Sequence, residues 1–187
     1  MRTLVTIFAA AALTIGVSMA MPPEMLKSWQ SLERRAEAGD SDAQWRMAGV
    51  LERGFDTIAP DTTRAMQLVR SAAEAGHPAA MNYLGYLYGE GVILPQSADS
   101  SIYWLGKAAA TGDAKGAYNL AYRLLPDTTA LPWLRKAVAA DLPQARVLMG
   151  NLMAEGRIVR RDSAAASALY SEALASGLRD AQLHLLN

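Results

Sequence analysis

Apolar and small residues recur along this chain with two rhythms. The short one is helical: Ala43, Met47 and Leu51 fall on one face at the 3.6-residue period. The long one is a repeat. Anchors at Gly39, Gly76, Gly112, Asp141 and Gly177 are spaced by 37, 36, 29 and 36 residues. Four places after each anchor stands a small residue: Ala43, Ala80, Gly116, Ala145 or Ala181. Nine places after the first four anchors stand Ala48, Gly85, Ala121 and Gly150. Four places before the next anchor lies Ala72, Ala108, Ala137 or Ala173, and eight places before it Leu68, Trp104, Trp133 or Leu169. Self-similarity at this period is the mark of stacked supersecondary units.

Each unit reads as two helices. The first, helix A, follows the anchor: Asp42–Arg53, Pro78–Tyr88, Ala114–Leu125 and Pro143–Glu155. Pro78 and Pro143 suit a first helical turn, where the missing N–H has no partner to lose. Helix B follows a loop: Thr62–Ala75, Ser97–Thr111, Ala130–Ala139 and Asp162–Ser176. Gly76, Gly112 and Gly177 are natural stops because glycine tolerates a left-handed backbone. The units run 39–75, 76–111, 112–140 and 141–176, with half-repeat helices at 22–38 and 177–187. The small residues Ala48 and Gly85 predict close helix contact, so that ridges enter grooves. Trp104 and Trp133 are expected to fill the gaps beside them with large buried areas. In the third unit "PDTTALPW" replaces a longer loop and joins its helices tightly.

The second unit carries Ala73, Gly76, Ala80, Leu84, Gly85, Tyr88, Gly91 and Val92, then Trp104, Ala108, Ala109 and Gly112. This phrase resembles the Sel-one-like repeat (SLR) family, a branch of the tetratricopeptide-type α-solenoids, over Glu33 to Leu186. The resemblance implies an all-α fold for residues 21–187: a right-handed α-solenoid of stacked antiparallel helix pairs. The short third unit, Asp141 in place of glycine and Met153 in place of tyrosine depart from the pattern, which bears on local loops and not on the fold. The resemblance also implies that helix A lines a concave surface. The outward positions of helix A form one column of Trp45, Asn82, Tyr118, Val147 and Leu183, and another of Gly49, Tyr86, Tyr122 and Asn151, flanked by Tyr83 and Asn119. The expected partner-binding residues are therefore Trp45, Asn82, Tyr86, Tyr118, Asn119, Tyr122 and Asn151. Tyr and Trp give broad contact at low entropy cost, and Asn pairs with both donor and acceptor of a peptide backbone. Tyr88 is assigned to packing between repeats, and the same packing role is the alternative for Tyr83, Tyr86 and Tyr122. Arg46, Arg53 and Arg123 read first as solvated surface charge, with anionic contacts to a partner as the alternative.

Composition narrows the function. The 187 residues are 51% apolar, carry zero formal net charge and include no cysteine. The absence of a basic stripe argues against nucleic acid as the partner, and disulfides, thiolate chemistry and lipid attachment at cysteine are excluded. Residues 1–20 read as a cleavable signal peptide: Arg2, an apolar run from Leu4 to Val17, then Ser18-Met19-Ala20, with cleavage after Ala20. That predicts a periplasmic or secreted chain with no membrane span in its mature part; the alternative is an uncleaved N-terminal anchor. The histidines, His77 and His184, have no ligand neighbours at metal spacing, so no metal or cofactor is expected. His77 reads as a turn residue at a helix start. Some cysteine-rich relatives have been described as acting on β-lactams, but S-x-x-K, G-x-S-x-G and Walker patterns are all missing. The expected role is a non-catalytic adaptor docking a protein or peptide in the groove. The alternatives are an enzyme on cell-wall peptides or β-lactams, and an envelope component self-associating end to end through Leu183, Leu185 and Leu186.

Overall fold

The computed structural model describes residues 21–55 and 58–177. The signal-peptide reading, the closing helix 179–186, and Ala181, Leu183, His184, Leu185 and Leu186 lie outside the described residues. Nine helices are present among the described residues, and no strand. They are α1 (Pro23–Glu37), α2 (Ser41–Arg53), α3 (Thr62–Glu74), α4 (Pro78–Glu90), α5 (Ala98–Ala110), α6 (Ala114–Leu124), α7 (Ala130–Ala139), α8 (Pro143–Glu155) and α9 (Ser163–Ala175). The expected bounds of the A and B helices hold to within two residues at every described end. The chain divides into two compact units, one reaching to Leu68 and one from Val69 onward.

In the first unit α1 packs on α2. Asp40 caps α2 by accepting from the backbone N–H groups of Asp42 and Ala43, each at 3.1 Å. The Ala43 amide, followed by the Arg35 side chain, holds the Asp40 carboxyl below the usual carboxylate range. Ala43, Met47, Ala48 and Leu51 form the buried face of α2, as their spacing predicts. Buried Gln44 donates through Nε2 to the Ala36 carbonyl at 3.1 Å, tying α2 to the end of α1.

In the second unit each helix from α4 to α8 packs on its successor, and α4 also touches α6. Pro78 and Pro143 occupy the first turns of α4 and α8. His77 caps α4, its Nδ1 accepting from the Ala80 N–H at 3.3 Å. Ser97, Asp113 and Asp162 cap α5, α6 and α9. Gly76, Gly112 and Gly177 hold φ of 89°, 92° and 86°, the left-handed stop expected of them. Asp141 stands at the corresponding anchor with φ 60°. Aspartate enters this conformation more readily than most L-residues, because its short polar side chain can bond locally.

Close packing follows the small residues. A Cβ on Gly85 would lie 2.6 Å from Leu105 Cγ and 2.9 Å from the Leu105 backbone nitrogen. The Ser101 hydroxyl, fully buried, donates to the Gly85 carbonyl at 2.6 Å across the same contact. The tryptophans differ from expectation. Trp104 and Trp133 are only half-buried. Their neighbours Leu105 and Leu134, at 0% exposure, take the deep positions. Successive helical residues point about 100° apart, so a shift of one position turns a ring from the core to its edge. Lys107 lies 5.3 Å from the Trp104 ring centre and Lys136 lies 4.4 Å from that of Trp133, shielding the outer ring faces.

Candidate binding groove

The side chains on one face of α4 and α6 build a hollow in the second unit. On α4, Asn82, Tyr86 and Glu90 recur every fourth residue and so share a face. On α6, Tyr118 and Tyr122 do the same, flanked by Asn119 and Arg123. Tyr86, Tyr118 and Tyr122 line a hollow of about 160 Å³, with Asn119, Glu90 and Arg123 at its polar side and the buried Leu105 side chain beneath. The Tyr118 and Tyr122 rings are 6.4 Å apart and tilted by 31°. Tyr86 and Tyr122 expose 47% and 57% of their surface, too much for packing residues of an interior. Tyr118 is half-buried. Desolvation, with Tyr122 adding to it, raises the Tyr118 phenol above the ordinary tyrosine value.

The polar side is organised by cross-repeat pairs. Asn119 Nδ2 donates to Asn82 Oδ1 at 2.8 Å, joining residues 37 apart. Arg123 Nη2 pairs with Glu90 Oε1. The guanidinium lies on the bare backbone of Gly89, where a Cβ would stand 2.4 Å from Arg123 Cζ. Gln96 Nε2 donates to the Gly89 carbonyl at 3.0 Å. Beyond Arg123 a second hollow of about 390 Å³ is lined by Gly89, Gln96, Ser101 and Ile102. On the other side a third, also of about 390 Å³, has apolar walls from Leu125, Pro126, Leu148, Leu152 and Ile158, with Asn151, Glu155 and Arg157 at its polar side. Tyr122 belongs to both the first and third hollows.

Tyr86, Tyr118, Asn119 and Tyr122 are thus brought together as their columns predict, and Asn82 is bonded into the same cluster. Asn151 lines the third hollow and accepts from the Tyr170 hydroxyl at 2.8 Å. Trp45 is half-buried on α2, in the first unit. Arg123 corrects the sequence reading. It is not a solvated surface charge: its side chain is 26% exposed, it is paired with Glu90, and it borders two hollows. Glu90 is absent from the columns that the sequence marks out. The available signal was an opposite charge 33 residues away, near one repeat period, on two successive A helices.

Among the described residues no group of three or more His, Asp or Glu is placed to hold a metal ion, and no helix there is long and apolar enough to cross a membrane. The groove offers aromatic walls, an arginine with donors to spare, and side-chain amides. Those groups suit the grip of a peptide: apolar contact, carboxylate pairing and backbone hydrogen bonds.

The Sel1 repeat model matches residues 41–77, 78–113 and 143–178, passing over the short third unit. A curated relative, the chitin synthase regulator SKT5 of Saccharomyces cerevisiae, is 28% identical over 150 residues, covering 74% of this chain and 22% of its own. Among solved structures, c5321, a protective antigen of uropathogenic Escherichia coli strains displaying an SLR fold, aligns with a TM-score of 0.75 and 31% identity over 82% of this chain and 34% of the antigen. A Sel1 repeat protein from Oxalobacter formigenes aligns with a TM-score of 0.75 and 22% identity, over 83% of this chain and 66% of its own. The chain therefore spans about a fifth of the yeast regulator and a third of the antigen. With three repeat matches over most of its length and the same α-solenoid fold in its structural neighbours, this chain belongs to the Sel1 repeat family.

Proposed function

We propose that the chain is an exported, non-catalytic adaptor that docks an extended protein segment along α4, α6 and α8. The observation that carries this reading is the cluster of Tyr86, Tyr118 and Tyr122. Three tyrosines from two repeats converge on one open hollow, and two of them remain half exposed. Large aromatic rings left in water beside unspent polar groups are a common feature of recognition surfaces. Sel1 repeats are protein-interaction modules as a family, and the yeast relative is a regulator, consistent with action through contact. Export rests on Arg2, the apolar run Leu4–Val17 and the small residues at Ser18 and Ala20. The peptide would lie against the Asn82–Asn119 pair, which offers an amide NH₂ at one end and a carbonyl oxygen at the other.

Replacing Asn82, Tyr86 and Tyr122 together by alanine is the direct test. Capture of partner from the cell envelope should fall at least about tenfold, the loss expected when hot-spot aromatics are truncated, while the helical circular dichroism stays unchanged. Undiminished capture by a folded triple variant would remove the groove assignment.

A further inference from the structure

Resting on the groove reading, we infer that the α4–α6 hollow receives the C-terminal residue of the partner. Its apolar or aromatic side chain sits among Tyr86, Tyr118 and Tyr122, and its α-carboxylate sits on Arg123. Four observations converge on this. First, the hollow measures about 160 Å³. That is ample for one side chain, and the adjoining hollows that share Arg123 and Tyr122 leave room for the chain that carries it.

Second, the hollow joins an aromatic wall to a cation with capacity left. Glu90 engages Nη2 of Arg123, and the other guanidinium N–H groups have no acceptor among the described residues. Third, the guanidinium is held in place. It lies on the Gly89 backbone, at a distance that a side chain there would close to 2.4 Å. A fixed planar fork is the geometry that takes a carboxylate through two parallel hydrogen bonds. Fourth, Asn119 lines the same hollow. One N–H of its Nδ2 goes to Asn82, which points Oδ1 away from that pair and leaves it to accept a backbone N–H.

Within a polypeptide, carboxylate, amide N–H and apolar side chain sit together on one α-carbon only at the C-terminal residue. An internal Asp or Glu reaching Arg123 would bring no apolar group to the tyrosines. An internal Phe or Leu would fill the rings and leave Arg123 unmatched. A free aromatic acid carries the charge and the ring but gives Asn119 no N–H.

The test is calorimetric titration of the full chain with acetyl-Gly-Gly-Phe as the free acid, with its C-terminal amide, and with phenylpropionate. The free acid should bind about tenfold or more tightly than the amide, the scale of a charge-assisted bidentate pair, and more tightly than phenylpropionate. Arg123→Met should erase the preference for acid over amide, and Arg123→Lys should keep part of it, since the charge stays while the fork is lost. Equal binding of acid and amide by the unaltered chain overturns the inference, as does binding of neither. Phenylpropionate matching the tripeptide overturns it in favour of a small aromatic acid. A partner crosslinked at Tyr122 through an internal segment would overturn it too, while leaving the groove itself standing.

Discussion

Gly85 shows how much of this fold turns on single atoms. Alanine is the better helix former by about 1 kcal/mol, yet here its methyl would meet Leu105 Cγ at 2.6 Å and the Leu105 backbone nitrogen at 2.9 Å. A backbone atom cannot rotate away as a side chain can. We expect Gly85→Ala to destabilise by about 1–3 kcal/mol, the usual cost of overpacking, read as a lower thermal midpoint. An unchanged midpoint would mean that α4 and α5 separate freely at this contact. Asp141 makes the complementary case. Its φ of 60° is costly for most L-residues, and its carboxylate is 81% exposed beside Arg146. Arg146, whose side chain is only 12% exposed, also pairs with Glu172 at 3.1 Å and so keeps a partner when the Asp141 carboxylate is removed. Asp141→Gly should therefore be near neutral, while Asp141→Ala should lose about 1–2 kcal/mol through the backbone alone. If both variants lose the same amount, the Arg146 pair, not the conformation, explains the residue.

The helices begin where short polar side chains reach back to free amides. Asp113 Oδ2 accepts from Gly116 N–H at 2.6 Å, and Asp162 Oδ1 from Ala165 N–H at 2.9 Å. Replacing either aspartate by alanine should cost about 1 kcal/mol, measured in chemical denaturation, and the two losses should add because the caps share no partner. At this scale the sequence was most readable. Helix starts and stops follow local chemistry: Pro78 and Pro143 at first turns, glycines at the stops, and small residues wherever backbones approach. The tryptophans were less readable. Trp104 and Trp133 recur at the right period, but bulk alone does not tell which of two adjacent positions faces inward, and Leu105 and Leu134 hold the interior. The aromatic part of the hollow was legible because Tyr86 and Tyr122 stand in one column. Its ionic part was not, since Glu90 and Arg123 sit at different register positions in their repeats. Only the packing of α4 against α6 brings them together.

Across the second unit the same small vocabulary is used repeatedly, and the resulting surface is where binding is proposed. One global property follows from its tyrosines. Tyr118 and Tyr170 both titrate above the ordinary tyrosine value, chiefly through burial, with Tyr122 and Glu155 respectively adding to the rise. A raised folded-state value means that the neutral phenol is favoured by folding. That contribution is complete below the unfolded value of about 10 and is lost as pH climbs through the folded value. Stability should thus decline on the alkaline side of about pH 10, with phenolate absorbance appearing late for these two residues. Phenylalanine at both positions should flatten the decline, and an unaltered alkaline profile would contradict the assignment. The central claim, however, is that the α4–α6 face holds the partner. The most direct measurement is a photo-crosslinking residue at Tyr122 in intact cells, with a control at the exposed Arg135 on α7, followed by mass spectrometry of the adducts. The account predicts one discrete partner at Tyr122 and none at the control; equal capture at both positions, or none at Tyr122, would contradict it.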